Sequence, residues 1–153
     1  MGVISVAIAK YMGEMQRELA RNIRSELKFI GIESVIRIRD NRTNWHDRSG
    51  CLRSSIGYAY YEHGKKLVES AFEQVGIGAE GTAKGRELVA SIAQELASAY
   101  GLAVVAGMDY ASYVEAKGHD VLASTELWVR GEIEKRIGKA IEDTIAHMNK
   151  QRI

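Results

Sequence analysis

The chain has 153 residues, of which 46% are hydrophobic and 27% charged, and these proportions indicate one globular domain, residues 1–153, with its own core. The formal net charge of +1 is too small to indicate a nucleic-acid-binding protein, and the single cysteine, Cys51, excludes an internal disulfide. The apolar run 3–9 is too short for a membrane span or a signal peptide, so no membrane partner is expected.

A long amphipathic helix is predicted over residues 4–29. Apolar side chains recur there every three or four positions, and charged side chains fill the opposite face. A helix of this length must lie across a sheet of its own chain or against another subunit. Gly31 is expected to end it, and the β-branched residues of 32–39 predict a half-buried strand. The polar loop 40–50 follows, and loops of that length commonly carry function.

The next segment predicts a β-hairpin. Its strands span 52–61 and 66–74, and the composition of 62–65 between them is typical of a turn. The glycine-dense segment 75–85 is predicted to be irregular, and the apolar spacing of 84–100 predicts a helix.

The remaining elements complete the predicted domain. A run of small and apolar residues, 102–108, predicts a central strand buried on both faces. A helical turn is expected over 109–118, and a closing helix from an N-cap at Ser124 or Thr125 to about residue 148. The predicted fold is α+β, with a long N-terminal helix, a mostly antiparallel sheet of about four strands, a helix before the last strand and a C-terminal helix.

Glycines stand at two notable places. Gly76, Gly78 and Gly81 spell G-x-G-x-x-G between a predicted strand and a predicted helix, which mimics a dinucleotide-binding turn. The preceding strand alternates with charges, the helix is expected to open several residues later, and no further βαβ units follow, so no cofactor is predicted. Gly131 and Gly138 lie inside the last predicted helix, where each costs about 1 kcal/mol of helix stability relative to alanine. Close contact with another backbone would explain them, and so would plain tolerance of the cost.

No catalytic or metal site is predicted, and the protein is not expected to be an enzyme. The ligand spacings H-x-x-x-H and C-x-x-C do not occur in the sequence. Cys51 has no histidine at a motif-like spacing and is interpreted as a small packing residue. Asp47 is expected to accept hydrogen bonds from nearby backbone amides and to shape its turn.

One cluster of the sequence combines five arginines with a tryptophan: Arg37, Arg39, Arg42, Trp45, Arg48 and Arg53. Guanidinium groups suit phosphate and tryptophan can stack on bases, which would make the loop 37–53 a nucleic-acid-binding face. Tryptophan and arginine are also the residues most enriched at protein–protein hot spots. A protein interface is favoured over a solvated loop and over nucleic-acid contact.

Two short motifs carry a resemblance to a known family. They are Ser49-Gly50-Cys51-Leu52-Arg53-Ser54-Ser55-Ile56 and Tyr110-Ala111-Ser112-Tyr113-Val114-Glu115-Ala116-Lys117-Gly118. They resemble the motifs Thr-Gly-Asn-Leu-Arg-x-Ser-Ile and Tyr-Ala-x-Tyr-Val-Glu-x-Gly of the tail-completion, or head-tail joining (neck), proteins of long-tailed bacteriophages. Ser49 stands in place of the usual threonine and Cys51 in place of the usual asparagine.

The resemblance implies a virion structural protein of the head–tail junction of a phage or prophage, made in the host bacterial cytoplasm. Such a protein assembles with itself into a ring, with six and twelve copies both open, docks to other neck and tail proteins, and lets DNA pass transiently. The expected contact residues are Trp45, Arg48, Arg53, Tyr113 and Glu115, and the expected turn-setting residues are Gly50 and Gly118. The alternative is a small nucleic-acid-binding protein that uses the arginine-rich loop 37–53.

Overall fold

The structure, a computed structural model, describes residues 2–40, 47–93, 95 and 100–151, with side chains described from residue 13 to residue 150 of those ranges. The helices are α1 (Gly2–Arg39), α2 (Cys51–Ser54), α3 (Ala79–Ser91), α4 (Ala111–Ala116) and α5 (Ala123–Gln151). The strands are β1 (Ile56–Glu62), β2 (Lys65–Glu69) and β3 (Gly101–Ala106). The predicted α+β class is confirmed, with a long helix at each end of the chain.

The sheet contains three antiparallel strands in the order β2-β1-β3. The prediction of about four strands is therefore wrong by one. The central strand is β1, in which every residue of 56–61 is buried, whereas β3 was predicted to be central and lies at an edge. A helix, α3, does precede this last strand, as predicted.

The first helix continues to Arg39, so the predicted strand over 32–39 is wrong. Gly31 does not end the helix but lies inside it against Tyr58, where an added Cβ would be 2.5 Å from the ring. Buried side chains recur at four-residue spacing through this part of the helix: Ile30, Ser34 and Ile38. Burial of one helical face against the sheet therefore overrides the β propensity of the branched residues.

The hairpin prediction is confirmed, with adjusted boundaries. His63 and Gly64 form the turn with φ values of 52° and 79°, the left-handed conformation that a type I′ hairpin turn requires. The returning strand ends at Glu69, earlier than predicted, because the chain turns away at Phe72, where φ is 48°. The strand predicted to begin at 52 begins at Ile56, because α2 precedes it.

Helices cover both faces of the sheet. On one face, α1 packs on β1 and β3 through a buried cluster: Ile23, Leu27, Ile30 and Tyr60. On the other face, α3 packs through a second cluster: Ala59, Tyr61, Phe72, Val89 and Val105. The Tyr61 hydroxyl donates a hydrogen bond to the Val89 carbonyl and so joins α3 to the central strand. Residues 94 and 96–99 of the predicted second helix lie outside the described residues.

The two long helices run antiparallel along each other. At about 1.5 Å per residue, α1 is about 57 Å long and α5 about 44 Å. The contacts between them include the Asn22 amide to the Thr144 hydroxyl (2.8 Å), Arg136 to Glu26 (3.2 Å) and the Arg37 guanidinium over the Trp128 ring (4.6 Å). None of the helices in the described part of the chain is both long and apolar enough to cross a membrane.

A partly buried polar network joins α1 to the central strand. The hydroxyl of Tyr60, which is fully buried, donates to Glu62 Oε1 at 2.6 Å. The Arg24 guanidinium binds the same carboxylate with two nitrogens, at 2.9 and 3.0 Å. Partial burial acts to raise the pKa of Glu62, but the hydrogen bonds from Tyr60 and Arg24 and the Arg24 charge outweigh it, and the pKa is lower than usual.

This network predicts a stability loss in acid that depends on Glu62. A carboxylate whose pKa is lower in the folded state stabilises the fold above its ordinary pKa of 4.5, and the stabilisation is lost as pH falls through the folded value. We expect Glu62→Gln to reduce the free energy of unfolding by about 2 kcal/mol at pH 7. Urea unfolding from pH 7 to pH 3 should show that the free energies of unfolding of the wild-type protein and Glu62→Gln become more alike as the pH falls. Glu87→Gln, at an exposed position, is the control. If its free energy of unfolding differs from that of the wild-type protein in the same pH-dependent way, the stability loss in acid does not come from Glu62.

Candidate interaction site

The first family-like motif forms a turn and a short helix that hold the end of α1. The Asp47 carboxylate accepts hydrogen bonds from the backbone N–H groups of Gly50 (3.0 Å) and Arg53 (2.6 Å), which confirms its predicted role in the turn. Gly50 has a φ of 84°, in the region that glycine favours. Arg53 Nε donates to the carbonyl oxygen of Arg39 at 2.8 Å, and so satisfies a carbonyl at the end of α1 that has no helical partner.

The G-x-G-x-x-G sequence packs against this turn, backbone on backbone. A Cβ at Gly78 would lie 2.5 Å from the carbonyl oxygen of Gly50, and one at Gly81 would lie 1.9 Å from that of Cys51. The helix α3 begins at Ala79, between Gly78 and Gly81, and not several residues later as expected. Gly78 and Gly81 are thus required by the close approach of the two backbones, whereas Gly76, with a φ of 57°, has a conformation that glycine favours.

The second family-like motif holds the start of α5. The Glu115 carboxylate accepts hydrogen bonds from the backbone N–H groups of Val121 (2.5 Å), Leu122 (2.9 Å) and Ala123 (2.9 Å). These donors lie at the helix N-terminus, where N–H groups lack helical partners and a negative charge is favourable. Gly118, with a φ of 85°, turns the chain between the carboxylate and the helix.

The helix α5 begins at Ala123, so neither predicted N-cap residue holds that position. Ser124 lies in the first turn, and its N–H donates to Asp120 Oδ1 at 3.0 Å. The cap is therefore supplied from outside the helix, by Asp120 and by the distant Glu115.

One buried cluster joins both motifs to the ends of the long helices: Ile38, Leu52, Ile56, Met108, Ala111 and Val121. Tyr110 of the second motif is 40% exposed, and its partial burial, together with the Asp47 carboxylate, raises its pKa. The C-terminus of α1 and the N-terminus of α5 are therefore both anchored at this end of the molecule.

The predicted arginine cluster does not gather into one face. Arg37 lies over Trp128 on α5, Arg39 donates to the Glu73 carbonyl at 2.8 Å, and Arg53 holds the end of α1. Each of these three guanidinium groups thus contacts a different element of the fold. Arg42 lies outside the described residues.

Of the five contact residues expected from the sequence, two are clearly exposed. Arg48 is exposed on the turn after Asp47, and Tyr113 is 62% exposed on α4, with the Lys117 ammonium 5.2 Å from its ring centre. Arg53 and Glu115 are engaged with backbone groups as described above. Trp45 lies outside the described residues.

An exposed apolar stripe on α1 was not predicted from the sequence. Phe29, Ile32 and Ile36 are 40, 46 and 49% exposed, at the spacing of one helical face. We call these three residues the α1 stripe. The stripe was missed because residues 32–39 were predicted to form a strand. The helical spacing from Phe29 through Ile32 to Ile36 is the signal that indicates a second apolar face.

A groove of about 710 Å³ runs beside the α1 stripe, between α1 and the chain that follows β2. Ile32, Val35 and Ile36 line one wall, and Tyr58 of the central strand lies among the other lining residues. Ile32 also borders a second depression, of about 440 Å³, that is lined by three basic side chains: Arg21, Arg24 and Lys28. The groove is mixed, because charged side chains line it beside the apolar ones: Arg39, Asp40, Arg53, Glu69 and Glu73. The depression at its other end is basic.

Among the residues that the structure describes, no three His, Cys, Asp or Glu side chains are grouped as metal ligands would be. Comparison of the chain with models of protein families, with curated proteins and with solved structures finds no significant match. The two motifs and the geometry above are therefore the basis for the functional proposal.

Proposed function

We propose that this protein is a virion structural protein of the head–tail junction of a long-tailed bacteriophage or prophage. It is made in the host bacterial cytoplasm, assembles into a ring and docks to neighbouring neck and tail proteins, while DNA passes through the channel. Its role is structural and not enzymatic. The observation that carries the proposal is the exposed α1 stripe on a helix whose end is anchored by a motif resembling that family.

Exposure of the α1 stripe supports association with another molecule. Three large apolar side chains on one helical face, next to a large groove, form a surface that a monomer has little reason to expose. Apolar contact of this kind resists salt, whereas contact with phosphate does not.

The roles of the two motifs support a subunit of fixed shape. Arg53 holds the C-terminus of α1 and Glu115 holds the N-terminus of α5, so both long helices are fixed relative to the sheet. A ring needs copies that present the same surfaces at the same angle. The exposed Arg48 and Tyr113, at this anchored end, are the proposed contacts with neighbouring neck and tail proteins.

The alternative is nucleic-acid binding through the loop 37–53. Exposure of Arg48 favours it, and the contacts of Arg37, Arg39 and Arg53 within the chain weigh against it. Phosphate recognition needs guanidinium groups that reach outward together. The ring assembly is therefore the better supported function.

Light scattering across a concentration series, at low and at high salt, tests the proposal. We expect a salt-resistant species of six or twelve times the chain mass of 16.9 kDa, seen as rings by electron microscopy. Ile36→Glu should abolish it, because it places a charge in the α1 stripe, whereas Leu67→Glu, at a similarly exposed apolar position on β2, should not. A strict monomer that binds duplex DNA steeply less well as salt rises would support the alternative instead.

A further inference from the structure

The outer face of α5 carries a second exposed stripe, which we call the α5 stripe. Its members are spaced alternately four and three residues apart: Leu127, Gly131, Glu134, Gly138, Ile141 and Ile145. All six are exposed, Leu127 to 74%. The spacing is that of the a and d positions of a coiled coil, where a helix meets another helix.

The α5 stripe points away from α1. Arg136 lies on the side of α5 that faces α1, where its guanidinium is 4.1 Å from the centre of the Phe29 ring. Glu134 and Gly138 are each two residues from Arg136, so at about 100° per residue they point about 160° away from it. The helix pair therefore leaves the middle of the α5 stripe, at Glu134 and Gly138, uncovered among the described residues, while Ile141 and Ile145 are 41 and 43% exposed.

The two glycines of the α5 stripe have no explanation among the residues that the structure describes. Gly31, Gly81 and Gly85 are helical glycines at which an added Cβ would meet another element within 3 Å. At Gly131 and Gly138 an added Cβ would meet nothing within 4 Å among the described residues. Glycine inside a helix is unfavourable relative to alanine, and it is useful where another backbone or a large side chain approaches closely.

The α1 stripe has large side chains that could occupy the open space at the two glycines. Ile32 and Ile36 are large and exposed, and Phe29 is 40% exposed although the Arg136 guanidinium of its own chain lies over one face of its ring. The α5 stripe offers two positions without side chains. Large side chains that insert between small ones are the general way in which two helices approach closely.

The charges of the two stripes are complementary. In the basic depression beside the α1 stripe, Arg21 is paired with Glu18 and Arg24 with Glu62, which leaves Lys28 without an ion pair in the described part of the chain. Glu134, in the middle of the α5 stripe, likewise has no ion pair with a described residue. One free base and one free acid thus lie beside the two apolar surfaces.

We propose that the α5 stripe of one copy packs against the α1 stripe and its groove on a second copy, with Glu134 meeting Lys28. The two surfaces differ and lie on different helices, so each copy can use both, and the contact repeats head to tail until a ring closes. This proposal rests on the ring assembly proposed above and adds which faces meet.

A charge exchange tests the contact. Lys28→Glu and Glu134→Lys should each raise the protein concentration at which half of the chains are assembled by about tenfold or more, since like charges would then meet. The double variant, with both charges exchanged, should recover most of the wild-type assembly. The control is Lys139→Glu, an exposed position about 140° around α5 from Glu134, which should leave assembly unchanged.

A mixing experiment distinguishes the head-to-tail contact from pairing of α5 with itself. Ile32→Glu destroys the α1 stripe and Gly138→Leu fills the α5 stripe, and each variant alone should be monomeric. Measured at a concentration at which the wild-type protein is monomeric, Gly138→Leu should keep or raise the melting temperature, because its side chain enters open space on a helix. Mixed together, the two variants should form a dimer through their one intact pair of surfaces, and nothing larger.

The outcomes separate this contact from the proposed function. Rings that persist in all single variants overturn the contact and leave the ring assembly standing. If Ile32→Glu forms dimers, and the further substitution Gly138→Leu in the same chain abolishes them, then α5 pairs with itself. That result also overturns the proposed contact. A wild-type protein that stays monomeric at every concentration overturns the contact, and if it also binds duplex DNA it overturns the proposed function.

Discussion

Replacement of Gly81 by alanine is expected to lower the free energy of unfolding by about 3 kcal/mol, near the upper end for overpacking by one methyl group. The added Cβ would lie 1.9 Å from the carbonyl oxygen of Cys51 and 2.7 Å from its carbon. Both are backbone atoms of α2, which cannot rotate out of the way as a side chain does. The substitution therefore forces α2 and α3 apart.

Gly131→Ala is the matched control, because it makes the same chemical change inside a helix. An added Cβ there meets no described atom within 4 Å, so it should stabilise the protein by up to about 1 kcal/mol through helix propensity alone. Urea unfolding of both variants, at a protein concentration low enough that the wild-type protein is monomeric, measures the two effects, since assembly would otherwise alter the apparent stability. Equal effects at the two positions would mean that the close approach of α2 and α3 is not what requires Gly81.

The fold class, the hairpin and the order of the later elements could be predicted because they depend on local patterns. The hairpin follows from apolar alternation around His63 and Gly64, and α5 from a long stripe of helical spacing. The helical turn expected over 109–118 is α4, at Ala111–Ala116, for the same reason. In these segments the local preference and the tertiary contacts agree.

The end of α1 could not be predicted because tertiary contacts decide it. The branched residues of 32–39 favour a strand by propensity, and Gly31 is a common stop signal. Both signals are overridden by packing on Tyr58, which lies in another element. The same error added a strand to the predicted sheet and concealed the α1 stripe.

The identity of the central strand was also missed, for a different reason. Tyrosine-rich β1 looks half exposed, because a tyrosine hydroxyl usually needs water. Here the hydroxyl of Tyr60 donates to Glu62 and that of Tyr61 to the Val89 carbonyl, so both rings are fully buried. Partners of this kind are set by the fold and cannot be read from spacing.

Glu115 illustrates what the sequence could and could not say about the site. The second motif singled it out as a contact residue. Its carboxylate instead accepts three backbone hydrogen bonds from the start of α5, six to eight residues later in the chain. Standard capping signals lie within the first turn of a helix, so a cap from a preceding helix leaves no local pattern.

Replacement of Glu115 by alanine is expected to lower the free energy of unfolding by about 2–3 kcal/mol. The substitution removes the acceptor of three N–H groups and a negative charge at the N-terminus of a long helix, each of which contributes about 1 kcal/mol or more. Hydrogen exchange should show faster exchange at Val121, Leu122 and Ala123 before the rest of α5 is affected.

The matched control is Glu142→Ala, an exposed glutamate in the second half of α5, which should change stability by less than about 0.5 kcal/mol. Glu115→Gln should fall between the two, because an amide oxygen still accepts a hydrogen bond but carries no charge. Loss of assembly in Glu115→Ala without loss of stability would instead assign the carboxylate to a contact between subunits. Loss of stability with faster exchange at the helix start would show that this residue of the motif acts by fixing α5, and so by setting the angle at which each copy meets the next.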